Sequence, residues 1–365
     1  MGARNIITSR NVNDAFYMIA ENMLLNGTYS YSKNTKYLEV YPLGVTIKNP
    51  KERCLLLPKR YNSIFASIAE TIWLLAGKND ICFLEYYLER AKDFSDDGYT
   101  WRGAYGPRIF NWNGINQFSN CISALRENIN TTRACISIFN PQVDHDITKR
   151  DIPCNNWIQF LHRDNRLNMN VSLRANDLIW GFSGINIFAW TTLLELASNW
   201  LNIPIGEYNH FVCNMVIFER HFYRIKNILD NKLVNDIYSE FDSIKKIKID
   251  ICENNFDTEL KMFFDIEYKV RNNEISLYEY KALKNSISSS YLRYCLDMLT
   301  SFIYYKEQKY EEFIHLWKSI DNSDLKLCAS EYILRKNNAV IKKNIDSLVD
   351  DKTLSFFINN NFIHI

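Results

Sequence analysis

The stretch "DIPCNNWIQF", residues 151–160, places a proline directly before Cys154 and Gln159 five residues after it. A second stretch, "SLRANDLIWGF", residues 172–182, carries Arg174 twenty residues after the cysteine, with an aspartate three positions further on. A cysteine that acts as a nucleophile needs thiolate character, which a nearby arginine provides by lowering the pKa of the thiol. The two stretches together indicate a reactive thiol with a cationic neighbour.

The segments around these residues have the pattern of adjacent strands. "RACISIF", "NWIQFLH" and "RLNMNVSLRAND" read as successive strands, and "RDN", residues 163–165, predicts a hairpin between the last two. A hairpin brings its outer ends together, so Cys154 and Arg174 are expected to be neighbours. Spacing alone leaves another interpretation open, because a buried cysteine is commonly an inert small apolar residue.

The composition carries no strong electrostatic or redox signature. The 365 residues include 43 Lys and Arg against 42 Asp and Glu, a formal charge of +1, which favours neither nucleic acid nor a membrane as a partner. The 9 cysteines are odd in number and lack metal-ligand spacing, so neither a disulfide framework nor a metal site is expected. No apolar segment has the length of a signal-peptide core or a membrane span, and we expect a cytoplasmic protein.

Helical and strand patterns alternate in the first part of the chain. Residues 11–26 and 63–77 have helical apolar spacing, and the second of these segments is apolar on all sides, so Glu70 is expected on a buried helix. Residues 36–49 are rich in β-branched and aromatic residues, which is typical of a strand, and residues 185–202 predict a long buried helix. This alternation predicts a mixed α/β (α+β) fold.

The pattern changes after residue 225. "KKIKIDICENNFDTELKMFFDIEYKV" is compatible with further strands, whereas the sequence beyond it is mostly helical. We therefore divide the chain into a catalytic core at 1–225, possible remaining core strands at 226–277 and a helical C-terminal extension at 278–365. The aromatic stripe of that extension is expected to be helix core; it comprises Tyr304, Tyr305, Tyr310 and Phe313.

Several motifs resemble those of the thymidylate synthase family. "IPCNNWIQF" and "LRANDLIWGF" match its Pro-Cys pair, Gln-Phe and Arg-Ser-x-Asp-x-x-x-Gly with the spacing preserved. "ETIWLLAGKND", "GAYGPRI" and "TTRACISIFNP" are similar to its Glu-Leu-x-Trp-Phe-Leu-x-Gly helix, its Gly-Pro-x-Tyr-Gly turn and its Ser-Arg-Arg strand. The matching residues are Glu70, Trp73, Gly77, Tyr105, Arg133, Cys154, Gln159, Phe160, Arg174, Asp177 and Gly181. The resemblance covers roughly residues 10–225 and implies the family's mixed sheet with flanking helices.

The resemblance also implies a chemistry. The family transfers a one-carbon unit from 5,10-methylenetetrahydrofolate to C5 of a pyrimidine nucleotide, and a thiolate added at C6 makes C5 nucleophilic. Cys154 would be that thiolate. Glu70, a carboxyl on an apolar helix, should have a raised pKa and move protons through water. Tyr105 would assist removal of the C5 proton.

Binding roles follow from the same resemblance. Arg174 would hold the 5′-phosphate from its own subunit, and Arg133 would reach the phosphate of the partner in a homodimer, because arginine forks bind phosphate bidentately. Arg53 and Arg60 are further candidates for the phosphate. The remaining substrate-binding candidates are Gln159, Ala175, Asp177 and Asn186, and the folate-binding candidates are Trp73, Asp177 and Gly181.

The chain departs from the family pattern near the base and the sugar. Asn155 replaces the usual histidine, Ala175 the serine and Thr132 one of the paired arginines. The family's Gly-x-Pro-Phe-Asn turn becomes "GFSGIN", so that Ile185 stands at the spacing of the base-reading asparagine and Asn186 comes one residue late. Either the turn contains an insertion or the base is read differently. Asn214, Val216 and Phe218 stand where the family holds the sugar.

These departures favour a changed substrate or a changed second step. The leading hypothesis is a CMP hydroxymethylase, in which water rather than hydride completes the reaction, as in cytidine-nucleotide hydroxymethylases that serve antimetabolite or modified-DNA pathways. The alternatives are a dCMP hydroxymethylase, a divergent dUMP methylase and, in another class, a non-catalytic nucleotide-binding regulatory module. A cysteine hydrolase is weaker, because no histidine is placed as a partner for Cys154.

Overall fold

The computed structural model describes residues 5–32, 34–336 and 338–363. The strands are β1 (Ile6–Ser9), β2 (Thr28–Ser32), β3 (Thr35–Val40), β4 (Leu43–Ile47), β5 (Cys135–Ser137), β6 (Asn155–Arg163), β7 (Arg166–Leu173), β8 (Asn176–Asp177), β9 (Ile205–Val212) and β10 (Met215–Phe218). The α-helices are α1 (Val12–Asn26), α2 (Ile64–Leu75), α3 (Ile81–Tyr87), α4 (Tyr105–Phe110), α5 (Gln117–Glu127), α6 (Pro141–Asp144), α7 (Ile187–Leu201), α8 (Phe222–Asp230), α9 (Ile237–Glu240), α10 (Phe256–Arg271), α11 (Leu277–Lys284), α12 (Ser290–Lys306), α13 (Tyr310–Ser319), α14 (Asp324–Arg335), α15 (Ala339–Lys343) and α16 (Asp351–Asn359). A π-helix covers Leu178–Asn186, and 3-10 helices cover Glu89–Phe94, Glu219–His221, Glu253–Asn255 and Ile345–Ser347.

Two mixed sheets organise the first part of the chain. A 6-stranded sheet has the order β1-β4-β9-β7-β6-β5, with parallel pairs β1–β4 and β7–β9, and a 4-stranded sheet has the order β2-β3-β10-β8. Helices α5 and α7 pack against each other, and α7 contacts β7 and β9. The predicted fold class is confirmed: the structure has mixed sheets with flanking helices and a helical C-terminal part.

The predicted hairpin forms between β6 and β7. Asp164 and Asn165 connect the strands with positive φ angles of 53° and 57°, a conformation that Asp and Asn tolerate better than most residues. The ladder pairs Asn155 with Leu173 at the far end. One further hydrogen bond, from the Arg174 N–H to the Cys154 carbonyl, measures 2.8 Å. The turn thus sets the register that makes Cys154 and Arg174 neighbours.

The two faces of the 6-stranded sheet differ in polarity. In β7, Leu167, Met169 and Val171 are buried on one face, and the intervening residues lie on the other because strand side chains alternate. We call that second face the outer face; it comprises Gly44, Thr46, Trp157, Gln159, Asn170, Ser172, Asn209 and Phe211. Trp157 and Phe211 are 40% and 47% exposed there. Most of these residues line a groove of about 1230 Å³.

A row of hydrogen-bonded side chains crosses the outer face. The Thr46 hydroxyl donates to Asn209 at 2.8 Å, Asn209 donates to Asn170 at 3.0 Å, and Asn170 donates to Gln159 at 3.1 Å. Gln159 then donates to the Thr132 carbonyl at 2.9 Å. The row links strands β4, β9, β7 and β6, so it ties the ladder together from the side.

The chain divides into two compact units. One comprises the segment up to Arg53 and Ala69–Leu229, and the other comprises Cys54–Ile68 and the segment from Asp230 onward. The residues 54–68 join the second unit through packing and polar contacts. The rings of Phe65 and Phe302 lie 4.8 Å apart, and the Cys54 N–H donates to the Tyr238 hydroxyl at 3.0 Å.

The second unit is helical, and its aromatic stripe is packed as expected. Phe313 is fully buried and Tyr304 is 4% exposed, and the ring of Tyr305 lies 5.8 Å from that of Phe313. Asp250 organises the start of α12, because its carboxylate accepts from the Ser290 and Tyr291 N–H groups. No helix of the described ranges combines the length and the apolar character needed to cross a membrane.

Two expectations about strands need correction. The strand expected at 36–49 is two strands, β3 and β4, which belong to different sheets and are separated at Pro42, a residue without a backbone N–H. The strands expected within 226–277 are absent from that described stretch. Helix α10 occupies its centre, because apolar residues there recur every three or four positions, which is helical spacing; those buried in α10 are Phe256, Leu260, Phe263, Ile266 and Val270.

Candidate active site

A cavity of about 160 Å³ in the first unit gathers most of the predicted site residues. We call it the Cys154 cavity; it is lined by Glu70, Trp73, Leu74, Phe94, Trp101, Gly103, Ala104, Tyr105, Asp151, Cys154, Asn176, Asp177, Trp180, Gly181, Ile185 and Asn186. These residues come from α2, the start of α4, the turn before β6, β8 and the π-helix. Segments far apart in sequence thus converge on one thiol.

Cys154 directly precedes the first residue of β6 and is half-buried. The guanidinium of Arg174 donates to the Pro153 carbonyl at 3.0 Å and to the Ile152 carbonyl at 2.8 Å, so it fixes the backbone that presents the thiol. Burial raises the pKa of the Cys154 thiol, and the positive charge of Arg174 opposes that rise. The predicted pairing of the cysteine with the arginine is therefore present in the geometry.

Glu70 faces the same cavity from α2. Burial, together with the charge of Asp151, raises the pKa of the Glu70 carboxyl from 4.5 to about 8. Its Oε2 atom is buried and makes no hydrogen bond with the described residues. A buried polar atom of this kind is satisfied by water or by a ligand. Glu70 is thus a neutral acid near pH 7 that still has a hydrogen-bonding position to fill.

Tyr105 begins α4 and lines the same cavity as the Cys154 thiol and the Glu70 carboxyl. Burial of its hydroxyl, and the nearby Cys154, Asp151 and Glu70, raise the pKa of Tyr105 well above 10.0. The backbone N–H of Asn155 is hydrogen-bonded to the hydroxyl and opposes this rise. The tyrosine therefore remains a neutral hydroxyl that can accept or donate a hydrogen bond.

One wall of the Cys154 cavity is aromatic. Phe94 and Trp101 are stacked with centroids 4.7 Å apart and planes 4° from parallel, and Trp73 and Trp180 lie 6.0 Å from Trp101 and 6.4 Å from Phe94. The indole N–H of Trp73 is used within the protein, because it donates to the Asp80 carbonyl at 2.8 Å. The wall therefore offers ring faces for stacking rather than hydrogen bonds.

The "GFSGIN" turn belongs to a π-helix. In a π-helix, consecutive turns are joined between residues i and i+5, rather than i and i+4 as in an α-helix. Asn186 is five residues after Gly181, so it follows the glycine by one π turn. Both residues line the Cys154 cavity, as does Ile185. The wider helix is compatible with the one-residue insertion considered above, and the base-reading role of Asn186 stays a prediction.

Two further residues of this region have defined partners. The Asp177 carboxylate caps the π-helix by accepting from the N–H groups of Ile179 at 2.7 Å and Trp180 at 2.9 Å. The side chain of Asn186 makes no cap to the helix that follows it. Asp177 is therefore committed in part to the fold, whereas the Asn186 amide has no such capping role.

Asn176 forms another part of the cavity wall. Its amide nitrogen lies 3.1 Å from His210 Nε2, and His210 Nδ1 lies 2.8 Å from the Tyr208 hydroxyl. Burial lowers the pKa of His210 to about 3, so the ring is neutral. A Cβ at Gly181 would overlap the Asn176 amide oxygen, so the glycine is needed for this close approach.

Several predicted binding residues lie outside the Cys154 cavity. Arg133 and Arg174 are exposed, Gln159 belongs to the outer face, and Ala175 does not line the cavity. The phosphate roles predicted for the two arginines stay predictions. Arg60 belongs to the second unit, and its predicted role also remains a prediction.

Arg53 has a different environment from the one expected of a phosphate ligand. It is 7% exposed, and its guanidinium forms a buried ion pair with Glu195 and a hydrogen bond of 3.4 Å to Thr192. Removing one partner of such a pair is strongly destabilising because it leaves a buried charge. These contacts make Arg53 a structural residue of the first unit.

Sequence reasoning missed several residues of the Cys154 cavity, and the polar ones among them include Asp151, Trp101 and Asn176. Asp151 is the one charged residue of "DIPCNNWIQF" and stands three residues before Cys154, and Trp101 stands four residues before Tyr105. Those positions were available signals. The sequence contained no signal for Asn176 other than its position next to Asp177. Within the described ranges, no group of three or more His, Cys, Asp or Glu side chains could hold a metal ion.

Comparison with known proteins identifies the family. The sequence model of thymidylate synthase matches residues 15–285. The chain belongs to the thymidylate synthase family. The resemblance seen in the motifs is thereby confirmed, and the match extends beyond residue 225, to which the motifs had reached.

Several similar proteins are phage enzymes. A deoxyuridylate hydroxymethyltransferase of Delftia phage PhiW-14 is 32% identical over 235 residues, which are 61% of this chain and 64% of that protein. The deoxyuridylate hydroxymethyltransferase of Bacillus phage SP01 is 29% identical over 211 residues, 55% of each chain. A deoxycytidylate 5-hydroxymethyltransferase of Enterobacteria phage T6 is 30% identical over 133 residues, 33% of this chain and 53% of that protein. The chain thus spans less than two thirds of the length of these relatives.

The raised pKa of Glu70 predicts a specific loss of stability with pH. Because the folded-state pKa, about 8, exceeds the ordinary value of 4.5, the stability is fully present below pH 4.5 and falls as the pH rises through about 8. Glu70→Gln should remove this loss. Between pH 5 and pH 9, the free energy of unfolding should fall by a few kcal/mol more in the unmodified protein than in Glu70→Gln, since one pKa unit corresponds to about 1.4 kcal/mol.

The measurement is the free energy of unfolding in urea at pH 5 and pH 9. The matched control is Glu85→Gln, since Glu85 is exposed on α3 and lies outside the Cys154 cavity. An equal pH dependence in Glu70→Gln and the unmodified protein would show that Glu70 is not the titrating group.

Proposed function

We propose that this protein transfers a one-carbon unit from 5,10-methylenetetrahydrofolate to C5 of a pyrimidine nucleotide, with water completing the reaction to give a 5-hydroxymethyl nucleotide. The observation that carries the proposal is the convergence of Cys154, Glu70 and Tyr105 on one cavity. A nucleophile, a neutral acid and a buried hydroxyl are the groups this chemistry needs. The names of the similar phage proteins support the hydroxymethyl product.

Each of the three residues has one task in this proposal. The sulfur of Cys154 adds to C6 of the pyrimidine, and the charge of Arg174 favours the thiolate needed for that attack. Glu70 donates a hydrogen bond or a proton toward the ring, because its raised pKa keeps it protonated near neutral pH. The Tyr105 hydroxyl accepts the proton lost from C5 while it gives its own proton to a water molecule, so the tyrosine stays neutral.

The residues present fit a bound folate. The ring faces of Trp73, Phe94, Trp101 and Trp180 suit a flat heteroaromatic molecule, and the unsatisfied Glu70 Oε2 is directed to the same cavity. When bound, methylenetetrahydrofolate supplies the one-carbon unit. Trp73, Asp177 and Gly181 would line its place, as the motifs imply.

For the base we favour uracil over the cytosine of the leading sequence hypothesis. That hypothesis rested on Ile185 at the reader position, whereas Asn186, one π turn after Gly181, also lines the Cys154 cavity. An amide accepts from N3–H and donates to O4 of uracil, whereas cytosine presents a bare N3 and an amino donor. The deoxyuridylate relatives support deoxyuridylate as the substrate. CMP and dCMP are the alternatives that the specificity test decides.

We further propose a homodimer formed through the outer face. Trp157 and Phe211 expose apolar area beside the groove on that face, a feature typical of protein interfaces. Arg133 precedes β5 at the edge of the same sheet and is exposed. An arginine at this edge suits the expected role in trans, in which it holds the phosphate of the partner.

The first test concerns the nucleophile. Cys154→Ala should lower the release of tritium from C5 of labelled dUMP by roughly 10³-fold or more, because no covalent adduct can form. Nucleotide binding should persist, since the side chains proposed to contact ring and phosphate remain. Cys82→Ala, an exposed cysteine of the same unit, is the control and should release tritium normally. Tritium release at the unmodified rate in Cys154→Ala would show that Cys154 is not the nucleophile.

The product itself separates hydroxymethyl from methyl transfer. Incubation of the unmodified protein with methylenetetrahydrofolate and each of CMP, dCMP, UMP and dUMP, read by product mass, should give a 5-hydroxymethyl nucleotide from dUMP without dihydrofolate. A methyl product with a rise in dihydrofolate absorbance would instead identify a dUMP methylase.

The second test concerns base reading. Asn186→Asp should shift the preference from dUMP toward dCMP by on the order of 10²-fold, because a protonated carboxyl donates to N3 of cytosine and accepts from its amino group. The measurement is kcat/KM for both nucleotides at equal folate. Asn176→Asp is the matched comparison, since Asn176 is another amide of the cavity wall. A change in nucleotide preference with Asn176→Asp but none with Asn186→Asp would show that Asn176, rather than Asn186, contacts the base.

The third test concerns the dimer. Mixing Cys154→Ala with Arg133→Ala subunits should restore about a quarter of the normal activity, because half of the dimers are mixed and each contains one intact composite site. Size-exclusion chromatography must show that mixed dimers form. Mixed dimers without any recovered activity would contradict the role of Arg133 in trans.

A further inference from the structure

Asp151 places a second acidic side chain in the Cys154 cavity, three residues before the nucleophile. The indole N–H of Trp101 donates to its Oδ2 atom at 2.6 Å, and a Cβ at Gly103 would overlap the same oxygen. The carboxyl is therefore held in one orientation from two sides. Its other oxygen, Oδ1, makes no hydrogen bond within the described ranges.

The charges around Asp151 distinguish it from Glu70. Burial raises the pKa of Asp151, and the Trp101 hydrogen bond and the charges of Arg174, Arg102 and Arg108 oppose that rise. The negative charge of Asp151 is itself one reason why the pKa of Glu70 is raised. Two carboxyls that share a cavity in this way take different roles, one as the protonated acid and one as the anionic base.

The remaining carboxylate of the cavity is engaged differently. Asp177 directs one oxygen to the two N–H groups that start the π-helix, so it has a structural role as the cap of that helix. Within the described ranges the Asp151 carboxyl accepts one hydrogen bond, from Trp101 to Oδ2, which leaves Oδ1 to accept from a small polar molecule. It also lies close enough to Cys154 and Tyr105 for its charge to raise the pKa of both groups.

We propose that Asp151 is the general base that activates the water molecule consumed in the last step of the reaction. The inference rests on the proposed hydroxymethyl transfer. It explains why water reacts with the methylene group in the last step: Asp151 activates that water. A general base contributes on the order of 10²–10⁴-fold to such a proton transfer.

The step is balanced without a redox change. Before it, the pyrimidine carries an exocyclic methylene at C5, and its C6 is bonded to the Cys154 sulfur. Asp151 removes a proton from water while the water oxygen bonds to the methylene carbon, and the electron pair of the methylene double bond moves into the ring toward O4. The return of that pair forms the C5–C6 double bond as the carbon–sulfur bond breaks. The products are the 5-hydroxymethyl nucleotide, the Cys154 thiolate and protonated Asp151.

The decisive experiment separates the early steps from the last one. Tritium release from C5 reports events up to the methylene, whereas the mass of the product reports what completes the reaction. Asp151→Asn keeps the shape of the side chain and removes its basicity. We expect tritium release within about 3-fold of normal and a fall of roughly 10²-fold or more in hydroxymethyl nucleotide. With added 2-mercaptoethanol, the variant should give the thioether nucleotide that forms when the thiol captures the methylene.

The control is Asp146→Asn, an exposed carboxylate five residues upstream that does not line the Cys154 cavity; it should behave as the unmodified protein. Normal hydroxymethyl formation by Asp151→Asn would overturn the inference, and so would an equal loss of tritium release and product. A methyl product from the unmodified protein would instead refute the proposed function, whatever the variant does.

A second variant keeps the inference testable if Asp151→Asn does not fold. Trp101→Phe preserves the stacked ring and the carboxyl but removes the N–H that orients Asp151. It should raise the ratio of thioether to hydroxymethyl nucleotide while tritium release continues. An unchanged ratio in Trp101→Phe would overturn the inference.

Discussion

The hydrogen bond of 2.8 Å from the Arg174 N–H to the Cys154 carbonyl is the point at which the sheet ends and the site begins. It follows from the register of the β6–β7 hairpin, which in turn depends on two residues that tolerate positive φ. A slip of one residue would turn every side chain of β6 to the opposite face. The position of the thiol is therefore a property of the strand pairing rather than of the loop that carries it.

The Cys154 cavity is electrostatically uneven. Glu70 is neutral near pH 7, whereas the charges of Arg174, Arg102 and Arg108 oppose the rise that burial causes in the pKa of Asp151. A thiol in this place has its pKa raised by burial and by acidic neighbours, so it depends on the arginine for thiolate character.

Local sequence patterns anticipated most of the framework and the reactive groups. The helices at 11–26 and 63–77 and the hairpin were predictable because their apolar spacing and turn residues agree with their environment. The prediction of strands at 226–277 was wrong because it gave more weight to the β-branched residues than to the helical spacing of the apolar residues in α10. Asp151, Trp101 and Asn176 escaped notice because convergence on a cavity depends on distant segments, which no local pattern encodes. The commitment of Arg53 to Glu195 is long-range for the same reason.

The π-helix at Leu178–Asn186 separates the sequence position of a residue from its place in space. One residue added within an α-helix rotates every residue beyond it by about 100°, whereas a π turn accommodates the added residue by widening the helix locally. Helix α7, which follows the π-helix directly, packs against strands β7 and β9. A motif search with fixed gaps therefore points to Ile185, whereas the base reader proposed above is Asn186. Insertions at this turn could alter which side chain meets the ligand without disturbing the core, which makes the turn a natural site for diversification.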